Sequence, residues 1–319
     1  MNFKPALGHE AIHAHFSNAL EEQRLHHAWL LYGMKGIGKA SEAMAMAALY
    51  LCEHRSGSEQ ENTHACGECH GCCMLKAGSH PDFIMVERLE KKRDITVDQI
   101  REVLSFLSLT GMQSEKRVVV LNDAEMMNLQ AANALLKGLE EPSGGSLLLM
   151  VCHDLMRLPA TIRSRCMLGH CAPLGDTHMN RVLAGMEFSD AAKKMAMEIA
   201  GGRPGHVACL QDHKVVDGLL QWQALLKDVQ RADVGELQSW LDTHLTLIPH
   251  ELIIDVALQE IQSQWDGTGS FTSREALLKT MWSLAAWPKE VVRHSLRAGP
   301  ALMALLLELR LVLKSAVTV

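Results

Sequence analysis

The spacing of glycines in one stretch constrains this chain most. Gly33-Met34-Lys35-Gly36-Ile37-Gly38-Lys39-Ala40-Ser41 follows the apolar run Ala28-Trp29-Leu30-Leu31-Tyr32, which reads as a buried strand. It precedes residues 42–51, strong helix formers throughout. Strand, glycine loop, helix is the context of a phosphate-binding loop. Glycines let backbone N–H groups close around phosphate oxygens, the helix N-terminus adds positive potential, and a lysine reaches the β/γ-phosphates. Gly33, Gly36, Gly38 and Lys39 are the candidate nucleotide contacts. The pattern G-x4-G-K-[ST] holds through Lys39 and fails at Ala40, so the hydroxyl expected on Mg²⁺ is absent. Ser41 comes one residue late, which on a helix turns it about 100° away. The alternative is a tight turn without a ligand.

A second element bears on the same ion. Arg117-Val118-Val119-Val120-Leu121 reads as a buried strand, and Asn122-Asp123-Ala124-Glu125 follows it. A nucleotide hydrolase places an Asp first here to orient Mg²⁺, then an acid to polarise the attacking water. Asn122 offers a neutral amide, a poorer ligand for a hard dication. Asn122 and Asp123 therefore read as a degenerate metal-binding pair. Two losses on one ion predict no useful hydrolysis, whether or not ATP or ADP still binds.

Nine cysteines, four of them clustered, argue for a metal rather than disulfides in a reducing compartment. Cys52, Cys66, Cys69 and Cys72 follow C-x13-C-x2-C-x2-C, and four thiolates suit a closed, tetrahedral structural Zn²⁺. Cys73 adjoins Cys72 and coordinates poorly beside it. His64 and His70 are substitutes for the fourth ligand. Cys152, Cys166, Cys171 and Cys209 are scattered and read as small core residues.

Strands alternating with helices imply a parallel α/β sheet to about residue 171. Residues 8–27 read as its leading helix, residues 83–86 and 146–152 as further strands, and residues 53–65 as an exposed insertion. Thr96 caps one helix, and residues 128–139 form another, closed by Glu140-Glu141-Pro142. Beyond residue 171 only helices are expected, with breaks at Pro249, residues 267–269, Pro288 and Gly299-Pro300. Apolar stripes run along residues 250–265, ending at Trp265, and along residues 301–318. The start, Met1-Asn2-Phe3-Lys4-Pro5, lacks the apolar core of a signal peptide, and no apolar run is long enough for a membrane span. The cytoplasm is the expected location. The net charge of −6 means that any DNA contact comes from a local patch or from partners.

Further motifs occur in order: Gly78-Ser79-His80-Pro81-Asp82, then Ala131-Ala132-Asn133-Ala134-Leu135-Leu136-Lys137-Gly138-Leu139-Glu140-Glu141-Pro142, then Ser164-Arg165-Cys166 after a short helix. Together with the glycine loop and the cysteines, these resemble the AAA+ clamp-loader family of bacterial DNA polymerase III over roughly residues 28–170. The resemblance implies a RecA-like domain over residues 1–171 with a zinc module at about 52–73. It implies an all-α lid over residues 172–213 and an all-α collar over residues 214–319 that joins a ring of five. The family's gamma and tau subunits are ATP-driven motors. The resemblance implies instead the family's non-hydrolysing stator, with which Ala40 and Asn122 agree, and gives Arg165 the role of a finger in a neighbour's ATP site. Taken alone, Arg165 reads as a surface ion pair. In Gly201-Gly202-Arg203-Pro204-Gly205-His206, Gly205 stands where a motor has its lid arginine, with Arg203 close enough to leave that alignment open. The implied partners are gamma/tau and delta subunits and, through the complex, the sliding clamp and primed DNA. Such a chain is part of a polymerase holoenzyme without catalysis of its own. Two other readings stay open: an ATP-hydrolysing motor of the same family, and a zinc-dependent nucleic-acid-binding adaptor.

Overall fold

Strands that are apolar almost throughout are stable where both faces are covered. Three such runs, two of them opening on a polar residue, form the middle of one sheet. The computed structural model describes residues 3–56, 64–89, 92, 94–109, 116–227, 229–264 and 271–317. Most of the expected insertion (residues 57–63), Trp265 and the break at 267–269 lie outside the described residues. In chain order come α1 (Glu10–Glu21), β1 (Ala28–Tyr32), α2 (Lys39–Leu51), the short antiparallel pair β2 (Arg55–Ser56) and β3 (His64–Ala65), and α3 (His70–Ala77). They are followed by β4 (Phe83–Val86), α4 (Val97–Ser108), β5 (Arg117–Leu121), α5 (Leu129–Glu140), β6 (Ser146–Cys152), α6 (Ala160–Arg163) and β7 (Met167–His170).

Five parallel strands run in the order β4-β5-β6-β1-β7, with Ala28 beside Leu148 and Leu121 beside Met150. Side chains alternate across the sheet. Trp29, Leu31, Val118, Val120, Leu147 and Leu149 pack with the buried residues of α2 on one face. Ala28, Leu30, Val119, Leu121, Leu148 and Met150 pack with α4 and α5 on the other. Thr96 caps α4 in a reciprocal box with Gln99, as its position predicts. Asn128 caps α5, its side chain accepting from the Ala131 N–H at 2.8 Å.

Two compact units divide the chain: residues 1–182 with 202–205, and residues 183–201 with 206–319. The division falls within α7 (Asp176–Ala184). The second unit contains α8 (Asp190–Ile199), α9 (His213–Lys227), α10 (Val234–His244), α11 (His250–Gln264), α12 (Phe271–His294) and α13 (Ala298–Val317). Its core holds stacked Trp222 and Trp240, whose indole N–H groups donate to the carbonyls of Ile253 and Gly218 at 2.9 and 2.8 Å. On α13, Leu302, Leu306 and Leu309 are buried, while Leu307 and Leu311 are exposed.

Three expectations need correction. α1 stops at Glu21, and Gln23 takes a left-handed φ of 55° that ends it before residue 27. Pro288 does not break α12 but sits inside it. Proline removes a helical N–H and crowds the preceding turn; here fully buried Leu284 and Trp287 pin the helix immediately before it. Pro300 lies in the first turn of α13, where the missing N–H has no helical partner to lose. No described helix is long and apolar enough to cross a membrane.

Candidate functional site

β1 lies between β6 and β7, so the glycine loop leaves the sheet at its carboxyl edge. Gly33, Gly36 and Gly38 adopt φ of 147°, 85° and 97°, a region that disfavours side chains. A Cβ on Gly33 would also lie 2.2 Å from the Cys171 carbonyl oxygen. Lys39 opens α2, is 2 % exposed, and turns its ammonium back onto the loop, donating to the carbonyls of Gly33 at 2.7 Å and Met34 at 2.6 Å. Burial lowers its pKa to about 8. A phosphate that engaged Lys39 would have to draw it from both carbonyls. Ala40 supplies no oxygen, and Ser41 is exposed on α2, as the helical rotation predicts.

The loop is braced from two sides. His9 Nε2 lies 2.7 Å from the Ile37 carbonyl. Fully buried Glu42 accepts from the Ala6 N–H at 2.8 Å and lies 2.7 Å from His13 Nδ1. The Gly205 N–H donates to the Gly36 carbonyl at 2.8 Å, and a Cβ on Gly205 would meet Gly36 Cα at 3.0 Å. A side chain at position 205 would therefore fit only if Gly36 gave way by a few tenths of an ångström.

At the end of β5, the Asn122 side-chain NH₂ donates to Glu87 at 3.4 Å, and its Oδ1 is buried without a partner. Asp123 adopts a left-handed φ of 51°, and its Oδ1 lies 2.7 Å from His153 Nε2. That hydrogen bond holds the Asp123 carboxyl below the usual carboxylate range.

The cysteine module closes as its spacing predicts. Cys52, at the end of α2, meets Cys66, Cys69 and Cys72, with sulfurs 3.6 Å (Cys52–Cys66), 3.9 Å (Cys52–Cys69) and 3.9 Å (Cys66–Cys72) apart. A tetrahedron with Zn–S bonds of about 2.3 Å has edges of about 3.8 Å, so the donor set fits zinc and can hold a metal ion. The N–H groups of Cys66, Cys69 and Cys72 point at the sulfurs of Cys52, Cys66 and Cys69 at 3.3, 3.3 and 3.4 Å, which favours thiolates. Burial pushes the Cys52 thiol up to about 11. At Cys66 burial is outweighed by the Glu68 and Cys69 amides, and its pKa falls to about 7. Cys52, rather than His64 or His70, completes the four. Cys73 is exposed and bonds the Glu68 carbonyl instead. Of the scattered cysteines, Cys152 and Cys171 are buried as expected, and Cys166 and Cys209 are half-buried.

Arg165 lies two residues beyond α6. Its Nη2 sits 2.8 Å from Glu140 Oε1, and its Nη1 donates to the Thr161 carbonyl at 3.0 Å.

A family model described as DNA polymerase III, delta subunit, matches residues 8–174. The chain belongs to the delta prime clamp-loader family. DNA polymerase III subunit delta' of Pseudomonas aeruginosa is 38% identical over 231 residues, 70% of this chain and 68% of that protein. The Escherichia coli subunit delta' is 33% identical over 59% of this chain and 55% of its own length. The chain thus spans little more than half to about two thirds of these two relatives. A DNA polymerase III gamma subunit-related protein from Thermotoga maritima shares the fold at a TM-score of 0.57 and 15% identity, covering 95% of this chain and 98% of its own.

Of the residues predicted for this family member, the structure brings together the four cysteines, and joins Lys39 to its own glycine loop. Two residues that sequence reasoning did not single out, Glu125 and His153, stand beside Asp123. The available signal was positional: each polar residue follows closely on an apolar strand, and strand ends carry sites in parallel sheets.

Proposed function

We propose that this chain is the non-hydrolysing stator of a DNA polymerase III clamp loader, the delta prime role. It would work with gamma/tau and delta subunits to open the sliding clamp and place it on primed DNA. The observation that carries this reading is the state of the nucleotide loop. Ala40 and Asn122 withhold two magnesium ligands, and the Lys39 ammonium is spent on the carbonyls of Gly33 and Met34. A motor needs a hydroxyl and a carboxylate for Mg²⁺ and a lysine that reaches the triphosphate.

In this reading residues 1–171 are the RecA-like domain, residues 172–213 the lid and residues 214–319 the collar. Zn²⁺ staples the module at residues 52–73, and Arg165 is the finger offered to an adjacent motor. Its half-exposed side chain, held only by surface contacts, is free to exchange Glu140 for a phosphate. Trp282, Leu307 and Leu311, exposed on α12 and α13, suit a collar that packs against neighbours. A cytoplasmic location follows from the same role.

The test is reconstitution with the motor subunit and the clamp. Loading should require this chain, and the purified chain should hydrolyse no ATP. Magnesium-dependent turnover abolished by Lys39→Ala would assign it to the motors instead.

A further inference from the structure

The carboxyl ends of β5 and β6 hold a second group of metal-ligating side chains. The two strands are neighbours, with Leu121 beside Met150. The chain therefore delivers Asp123, just past β5, and His153, just past β6, to one point, where Asp123 Oδ1 and His153 Nε2 are 2.7 Å apart. Glu125 approaches from a 3-10 turn at Ala124–Met126, and one ligand atom from each of the three lies within 4.8 Å of the others.

Glu125 supplies the independent observation. It is 8 % exposed; the Cys152 thiol, at the end of β6, hydrogen-bonds to its carboxylate, yet its Oε2 is buried with no hydrogen-bond partner. A buried carboxylate oxygen left without a donor costs free energy unless a proton or a cation answers it. No arginine or lysine is paired with Glu125 among the described ion pairs.

We propose that Asp123, Glu125 and His153 form a binding site for a divalent first-row transition ion. Two carboxylates and an imidazole suit Mn²⁺, Co²⁺ or Zn²⁺, whereas Mg²⁺ prefers oxygen ligands alone. Asp123 and His153 are part-exposed, giving an ion a way in and room for water as a further ligand. The ion would sit between the two carboxylates and displace the Asp123–His153 hydrogen bond. Lys35 and Lys39 lie within electrostatic reach of this group, so the affinity is set by two carboxylates working against nearby ammonium charge. The site uses neither Ala40 nor Asn122. It therefore stands or falls separately from the stator role.

The experiment uses the full chain with its cysteine module already loaded with zinc. Mn²⁺ is titrated to millimolar concentration and free Mn²⁺ followed by electron paramagnetic resonance; Co²⁺ is titrated in parallel and followed by its d–d absorption. Wild type should take up one ion. Glu125→Gln, close to isosteric, and His153→Gln should each weaken binding by about tenfold or more. Zinc content and circular dichroism, unchanged in both variants, would show the fold intact. If wild type binds neither ion, or if binding survives both substitutions, the proposal is overturned. Should one variant misfold, the wild-type titration and the other variant still decide.

Discussion

Arg165 reaches across from the end of α6 to Glu140 at the end of α5, with 2.8 Å between Nη2 and Oε1. The contact ties together two segments by which the family is recognised, Glu140-Glu141-Pro142 and Ser164-Arg165-Cys166. Both partners are well exposed, and exposed ion pairs contribute at most about 1 kcal/mol.

Stability and function should therefore separate at this residue. Arg165→Ala is expected to change unfolding free energy by less than about 1 kcal/mol. In the reconstituted complex, hydrolysis at the adjacent motor site should fall by about 10³-fold or more, the usual scale of an arginine finger. Undiminished partner ATPase would remove the finger and leave the scaffold role standing.

A methyl group at Gly205 should press on the glycine loop. A Cβ there would meet the backbone of Gly36, its Cα at 3.0 Å and its carbonyl oxygen at 3.1 Å. Gly205→Ala, at an exposed position where Gly36 must give by a few tenths of an ångström, is expected to cost about 1 kcal/mol in a denaturant titration. A neutral result would mean that the Gly36 contact yields freely.

Zinc content is checked directly. Metal analysis of the purified chain should find about one zinc, as expected for a four-thiolate site. Cys72→Ser, at a fully buried ligand position, should bring that to none and lower the melting temperature. Full zinc retention in the variant would exclude Cys72 from the ligand set.

Lys39 gives the pH prediction. Its pKa of about 8 in the folded chain lies below the ordinary value of 10.5, because burial disfavours the ammonium. Between those values the unfolded chain holds the extra proton, so stability rises with pH, by up to about 1.4 kcal/mol per unit. Below about pH 8 the penalty is present in full. Wild type should show this rise relative to Lys39→Met, in which the slope is gone; parallel stability profiles for the two proteins would contradict it.

Much of the first unit was legible because its signals are local. Continuous apolar runs at β5 and β6 mark strands covered on both sides, Thr96 and Asn128 mark helix starts, and the cysteine spacing marks a closed metal module. Pro288 misled, since a local rule about backbone donors was overridden by the packing of Leu284 and Trp287. The grouping of Asp123, Glu125 and His153 was not legible, because it depends on β5 and β6 being neighbours and their residues are about thirty positions apart in sequence. The inward turn of Lys39 was hidden for a different reason. A lysine after a glycine loop reads the same whether it waits for a phosphate or satisfies its own backbone.

That inward turn has a consequence for timing. Lys39 answers the Gly33 and Met34 carbonyls and so braces the loop from within. Its conformation should be indifferent to how much adenine nucleotide the cell contains. In the stator role proposed above, such a loop would supply a fixed reference for the movement of the neighbouring motors.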